Sequence, residues 1–245
     1  MEHCEYIRYI PGSRDAVLMI HGICGTPRHF DGLIPVIPEG VSVYNILLPG
    51  HGQDVQAFSD SSMEKWRGYA EKKLELLLQR HQRIFLAAHS MGTLFAIRAA
   101  VSHPDRIPGL FLLAVPTRPW VRFSTMLTAL RVAWGVRPGD RKGCTMANAC
   151  SVRQTRKLWK YAGWIPRFLE LLVEIRQVRG LLPRLQTPTL AFQSRVDELV
   201  SIRSRKDLEE LPTVQCTVLE ASGHFAYGQE DLRLLQDEFR RMLSN

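Results

Sequence analysis

Short, nearly unbroken apolar runs recur along this chain, separated by longer stretches of helical periodicity, and this alternation restricts the fold more than any other feature. The runs are Ala16-Val17-Leu18-Met19-Ile20, Val41 to Leu48, Ile84-Phe85-Leu86-Ala87-Ala88, Leu110-Phe111-Leu112-Leu113-Ala114, Thr189-Leu190-Ala191-Phe192 and Cys216-Thr217-Val218-Leu219. Apolar runs that do not alternate with polar residues suit strands covered on both faces, as in a parallel sheet. Between them, Ser62 to Arg80 carries Trp66, Tyr69, Leu74, Leu77 and Leu78 near a 3.6-residue spacing, and Met91 to Ser102 is closed by His103-Pro104. Ser201 to Leu211 and Glu230 to Leu243 are two further amphipathic stretches. The fold class expected is therefore α/β, a doubly wound and mostly parallel sheet, with Tyr6 to Ile10 as an antiparallel edge strand. The 245 residues, 45% hydrophobic and 23% charged, suffice for one such domain with a large insertion, and exclude a disordered or collagen-like chain.

Charge locates the insertion. The chain has 32 Lys+Arg and 24 Asp+Glu, a net +8; of these, 14 basic and 3 acidic residues lie between Thr117 and Leu185. Nearly all the basicity thus sits in one central segment, which also holds Trp120, Trp134, Trp159 and Trp164, four of the five tryptophans. A shift of this size marks a separate unit. The expected division is a core of residues 1–116 and 186–245, with a basic helical cap over 117–185 inserted between strands. Helices are expected near Ser124–Trp134, Val152–Gly163 and Ile165–Val178. Trp120, Phe123, Met126, Leu127 and Leu130 form one apolar stripe, and Trp164, Phe168, Leu171, Leu172 and Ile175 another. Both stripes are expected to face inward over the site with the arginines in solvent. The sharper alternative is that the Trp/Arg surface meets an anionic partner: a membrane surface, an acidic lipid, or a substrate with phosphate or carboxylate. No recognition motif accompanies the charge, so nucleic acid is not expected.

No apolar run reaches the roughly 18 residues of a membrane span. The start, Met1-Glu2-His3-Cys4-Glu5, is polar and acidic and does not read as a signal peptide, so a cytoplasmic protein is expected. Five cysteines without a Cys-x-x-Cys suggest neither a disulfide framework nor a zinc ribbon. They are expected as reduced, buried or half-buried thiols, with Cys144 and Cys150 placed to meet across a loop.

The strongest local signal is Ala87-Ala88-His89-Ser90-Met91-Gly92. An apolar strand runs into a serine flanked by small residues and then into a helix, the shape of a nucleophile elbow with the pattern Gly-x-Ser-x-Gly. Position 88 departs from it, with Ala for Gly. Taken alone, Ser90 reads better as a helix N-cap than as a nucleophile. It is accompanied by the glycine-rich turn His21-Gly22-Ile23-Cys24-Gly25-Thr26-Pro27 after the first long strand. The backbone N–H groups of Ile23 and Met91 would form a two-donor oxyanion hole there. A serine hydroxyl needs a base, and His224 in Ala221-Ser222-Gly223-His224-Phe225 follows the last strand. His21, His51 and His89 belong to turns; His3, His29, His81 and His103 are expected in solvent. The base needs a carboxylate, and Asp197 lies just past the strand ending at Phe192, with Glu198 as the rival. Ser90, Asp197 and His224 stand in the chain order of an α/β-hydrolase triad.

With these residues in place the chain resembles the serine hydrolases of the α/β-hydrolase fold, most of all the bacterial carboxylesterase and monoacylglycerol-lipase branch. The resemblance is carried by His21 to Pro27, Leu48-Pro49-Gly50-His51-Gly52, Ala88 to Gly92, Asp197-Glu198-Leu199-Val200 and Ser222-Gly223-His224. It implies Ser90 as nucleophile, His224 as base, Asp197 as its orienter, and Ile23 and Met91 as oxyanion donors. The activity implied is cleavage of a carboxylic ester of a short- or medium-chain acyl group, with no metal and no organic cofactor. An acyl thioesterase, whose coenzyme A phosphates would suit a basic cap, is the alternative reaction. A non-catalytic receptor on a hydrolase scaffold is the alternative of a different class.

Overall fold

A computed structural model describes residues 3–137 and 139–244; Met1 and Glu2, on which the reading of the N-terminus partly rests, lie outside the described residues. Seven strands form one sheet: β1 (Tyr6–Arg8), β2 (Asp15–Ile20), β3 (Ser42–Ile46), β4 (Arg83–His89), β5 (Leu110–Leu113), β6 (Thr189–Ser194) and β7 (Val214–Leu219). Their order is β1-β3-β2-β4-β5-β6-β7, with β1 antiparallel to β3 and every other pair parallel. β3 and β5 are buried at every residue, and β2 and β4 at every residue but the first, which is why their sequences run apolar without alternation.

Helices pack on both faces and divide the core in two. One layer gathers Leu18, Ile20, Trp66, Leu86 and Leu94; the other gathers Val17, Met19, Phe85, Phe111 and Phe239. The split follows the strand period of two, since Val17 and Leu18 point to opposite faces. Helix α1 (Val55–Ser59) is capped by Asp54, and α2 (Met63–Arg80) by Ser62, whose hydroxyl accepts the Lys65 N–H. Trp66, Ala70, Leu74 and Leu77 form the buried stripe of α2. Helix α3 (Met91–Ser102) follows β4 without a loop.

Between β5 and β6 lie α4 (Phe123–Trp134), α5 (Arg141–Ala149), a 3-10 turn (Leu158–Gly163) and α6 (Trp164–Leu181). The helix expected over Val152–Gly163 is thus reduced to its last six residues. The stretch before it is spent on cross-chain hydrogen bonds: Arg153 N–H donates to the Gln53 carbonyl (2.7 Å), and Tyr161 Oη accepts the Thr155 N–H (3.0 Å). Helix α6 is locked to the core by Glu174, which is buried and bonded to Arg98 and Arg67. The near end of the insertion is stitched to the loop after β6. Trp120 N–H donates to Leu199 (2.8 Å), Arg122 N–H to Glu198 (3.2 Å), and Ser201 N–H to Arg118 (3.0 Å).

The inward stripe expected on α4 is a correction. Its buried residues are Thr125, Thr128, Val132 and Ala133, whereas Phe123, Met126, Leu127, Leu130 and Trp134 are exposed. Thr128 satisfies its hydroxyl on the Ser124 carbonyl (2.9 Å), so the small polar face packs inward at little cost. The second stripe divides: Ile175 is buried, Trp164 packs against the core, and Leu172 is exposed. The chain ends with α7 (Ser204–Glu209) and α8 (Gln229–Ser244). Among the described residues no helix is long and apolar enough to cross a membrane.

Candidate active site

Ser90 occupies φ +52°, ψ −122°, a conformation that costs a non-glycine residue about 1–3 kcal/mol and persists only where its surroundings impose it. Here the Ser90 N–H donates to Leu113 on β5 (2.9 Å), and its carbonyl accepts both the N–H (3.0 Å) and the hydroxyl (2.6 Å) of Thr93. Crowding explains the flanking glycine. A Cβ at Gly92 would stand 2.1 Å from the Ile20 carbonyl oxygen. A Cβ at Gly22 would stand 2.8 Å from that of Ser90, so β2 ends hard against the elbow. Ala88 is paired between Ile20 and Leu112 and fully buried, and its methyl is accommodated within the sheet.

The turn after β2 closes with the Gly25 N–H on the Gly22 carbonyl (3.0 Å). His21 pins it to β3: Nε2 accepts the Leu48 N–H (3.0 Å), which leaves Nδ1 to donate to the Gly22 carbonyl (2.8 Å). Burial, and then the neighbouring His51, hold the His21 imidazole well below its ordinary pKa, in the neutral form this pairing needs. Met91 opens α3, so its N–H belongs to the first turn that no helix can satisfy internally. Neither that N–H nor the N–H of Ile23 has a hydrogen-bond partner among the described residues.

Asp197 and His224 are in contact. Nδ1 of His224 lies 2.9 Å and 3.1 Å from the two carboxylate oxygens. Asp197 Oδ1 also accepts the N–H groups of Leu199 and Val200, both at 2.7 Å. Burial alone would raise the Asp197 carboxyl; the adjacent His224 and the two N–H donors outweigh it and bring the pKa below the ordinary value.

Glu198, the rival in sequence, has a different task. Its carboxylate accepts the backbone N–H of His224 (2.6 Å) and fills the space where a side chain at Gly223 would go. The same loop is held from the other side by Asp231, which accepts the Ser222 hydroxyl (2.6 Å) and the Ala221 N–H (2.9 Å). Sequence reasoning missed both positioning roles. Asp231, in the first turn of α8, carries no motif, and only the folded loop reveals its partners.

Ser90, Asp197 and His224 follow β4, β6 and β7, so all three lie at the carboxyl edge of the parallel sheet, where ligands gather in such folds. No hydrogen bond joins Ser90 Oγ to His224 in this arrangement. His224 lines a cavity of about 260 Å³ together with Gly22 and His89, which lie against Ser90 in space and in sequence. Catalytic hydrogen bonds of this kind are often long before substrate arrives. Of its lining side chains none is Asp, Glu, Lys or Arg; Ile23, Met126, Val132, Trp164, Phe168 and Phe225 dominate.

Two histidines expected in solvent are not there. His81 is buried with Nδ1 against the Ser13 carbonyl (2.8 Å). His29 stacks on His89 (ring centroids 4.4 Å), which in turn lies 4.7 Å from the His224 ring. Burial brings His29 and His51 down to about 4, and pushes His89 well below its ordinary value.

Solved structures of several hydrolases share this architecture. One of the metagenome-derived lipolytic enzymes LipS and LipT superposes with a TM-score of 0.73 at 19% identity, covering 100% of this chain and 98% of that one. Paleococcus ferrophilus monoacylglycerol lipase gives 0.69 at 18% identity, covering 100% and 99%. Est1E from Butyrivibrio proteoclasticus, solved with ferulic acid bound, gives 0.66 at 19%, covering 98% and 93%. At these identities the likeness speaks for the fold. In sequence, the thermostable monoacylglycerol lipase of Bacillus sp. (strain H-257) is 32% identical over 92 residues, a match spanning 36% of this chain and 36% of that relative's length. The sequence pattern of the alpha/beta hydrolase family matches residues 17–237, from the strand before the glycine-rich turn to the helix that anchors the histidine loop. By that span the chain belongs to the alpha/beta hydrolase family.

Proposed function

We propose that this protein is a serine hydrolase cleaving carboxylic esters of short- or medium-chain acyl groups. The observation that carries the reading is the His224–Asp197 pair at 2.9 Å, whose imidazole lines an apolar cavity free of charged side chains beside the strained Ser90 elbow. An acyl chain suits such a lining, whereas a charged substrate group would be left unpaired there. Ser90 Oγ attacks the acyl carbonyl as His224 takes its proton. The Ile23 and Met91 N–H groups hold the oxyanion, and His224 then protonates the leaving alcohol. Water, activated by the same imidazole, releases the acid from the acyl-enzyme. Asp197 fixes the tautomer and stabilises the imidazolium.

The named relatives include two monoacylglycerol lipases, which favours a glyceride-like ester within this class. A fluorophosphonate probe tests the nucleophile: labelling of the wild type and not of Ser90→Ala is expected. Labelling that survives Ser90→Ala, or hydrolysis of acyl-CoA thioesters in preference to p-nitrophenyl esters and monoacylglycerols, would reject the reading.

The 117–185 segment acts as a cap over this cavity in our proposal, and its outer face contacts an anionic lipid surface. Trp120, Phe123 and Trp159 are 64%, 72% and 72% exposed on a segment of net charge +11, and apolar surface interleaved with arginine is what a lipid interface attracts. Binding to anionic vesicles that weakens with salt is expected; no binding, or binding indifferent to lipid charge, would reject it.

A further inference from the structure

We propose that Cys24 and Cys150 form a covalent modification site, a reversible disulfide made by a hydroperoxide that staples the insertion to the oxyanion turn. Both thiols are free, both are half-buried, and both line the cavity. They belong to segments far apart in sequence that meet at one backbone hydrogen bond, from the Ser151 N–H to the Cys24 carbonyl (2.9 Å). Cys24 and Cys150 also pack against the same buried apolar cluster. The sequence allows Cys144 and Cys150 to approach across a loop; the fold instead brings the Cys150 segment to the Cys24 turn, and Cys144 is exposed.

Cys24 takes φ +56°, a left-handed conformation that a glycine would adopt without strain. A strained side chain facing a second thiol, one residue from a proposed oxyanion donor, indicates a site where the thiol itself is used. The two sulfurs are also unlike. Burial, and then contact with Cys150, raise Cys24 well above the ordinary thiol value. Contact with the Cys24 thiol, helped by the Val152 backbone and the Gln154 amide (Nε2 to Sγ 3.2 Å), lowers Cys150 against the opposing effect of burial. The Gln154 amide, which donates to Cys150 Sγ at 3.2 Å, marks Cys150 as the sulfur that carries the thiolate, and Cys24 resolves. By contrast, burial drives the thiol of Cys216 on β7 up to about 12.

The chemistry balances with one hydroperoxide per disulfide. The Cys150 thiolate attacks the peroxide oxygen, forming an S–O bond and breaking O–O; the alkoxide or hydroxide released takes up a proton. The Cys24 sulfur then attacks the sulfenic sulfur, forming S–S. Hydroxide leaves and combines with the Cys24 proton as water. Two thiols and one hydroperoxide give a disulfide, an alcohol or water, and water. The oxidant is the two-electron acceptor, and a dithiol reverses the step.

An S–S bond of about 2.05 Å is shorter than any contact between two separate thiols, so one segment has to shift by about an ångström. The turn that carries Ile23 N–H is the segment under strain, and a displacement of this size at a catalytic group costs about 100-fold in rate. This consequence for turnover rests on the proposed esterase function; the crosslink does not.

The test takes the full chain, reduced and then exposed to hydrogen peroxide or tert-butyl hydroperoxide, with remaining thiols alkylated and peptides mapped without reduction. A Cys24–Cys150 peptide is expected, with ester turnover down about 100-fold and restored by dithiothreitol. Cys24→Ser and Cys150→Ser should each lack the crosslink and, each compared with its own untreated rate, escape the roughly 100-fold fall that peroxide causes in the wild type. Crosslinks through Cys4, Cys144 or Cys216, or irreversible oxidation of Cys150 with Cys24 left free, would overturn the site. A crosslink that leaves turnover unchanged would overturn its effect on the oxyanion turn. A protein that crosslinks as expected yet hydrolyses no ester when reduced would sink the functional reading and leave the modification site standing.

Discussion

Helices α3 and α4 are each twelve residues long and mostly apolar, yet they dispose of that apolar surface in opposite ways. α3 lies between β4 and β5 and buries Leu94, Phe95, Ile97 and nearly everything around them. α4 turns its threonines and small residues inward and leaves Phe123, Leu127 and Leu130 exposed, with Met126 half out at the edge of the cavity. Within the sheet-and-helix core, each apolar residue has a partner in the same chain, so composition and burial agree. On α4, the exposed apolar face has no partner among the described residues, and the inner contact is made by Thr125, Thr128, Val132 and Ala133. Hydrophobicity marks a face that will be covered; it does not specify by what.

The contrast can be broken or sharpened by substitution, because changes in the core should act through geometry and changes on the insertion's outer face should not. Ser90→Ala should lower kcat by about a million-fold while circular dichroism and the thermal midpoint stay near wild type. Retained turnover would break the contrast at its strongest point. Asp197→Asn should cost about ten-thousand-fold, since His224 would lose the partner that sets its tautomer. Equal activity of this variant and wild type would transfer the role to another carboxylate. Gly92→Ala should lose about 4 kcal/mol or more in denaturant unfolding, because its Cβ has no room beside the Ile20 carbonyl.

The next effect is a pH dependence. His29 and His51 have folded pKa values of about 4, depressed by burial, against an ordinary 6.5. Between those values the unfolded chain binds more protons, so stability is complete above about pH 6.5 and declines as pH falls toward 4. Urea unfolding should show this fall between pH 7 and 5, and a flat profile would mean that these rings are not held neutral. Smallest of all, Phe123→Ser and Trp159→Ser should change stability by no more than about 0.5 kcal/mol while weakening vesicle binding. A large destabilisation would show that the exposed face is structural after all.

The core was legible because its local rules agree with one another. Continuous apolar runs became buried parallel strands, Ser62 announced α2, and Gly92 announced the elbow. Helices α1 and α5 went unread because each is short and depends on an aspartate cap, Asp54 or Asp140, with too few apolar positions to show a period. At the site, Ser90, Asp197 and His224 could be picked out because each follows a strand. The carboxylates that hold the histidine loop, Glu198 and Asp231, could not, since their partners are main-chain N–H groups and a serine hydroxyl brought together only by folding. The inversion of α4 was hidden for the reason already given: the sequence pattern is the same whichever side the partner is on.

The main-chain bonds from residues 118–122 to the loop 198–201 set a mechanical condition on any swinging of the insertion. A hinge placed before Arg118 would have to break all three, at about 1 kcal/mol each, and would pull on the loop that holds Asp197 against His224. Any pivot therefore lies beyond Arg122, and because Glu174 ties α6 to Arg98 and Arg67, only the stretch between these two moorings can lift without breaking either.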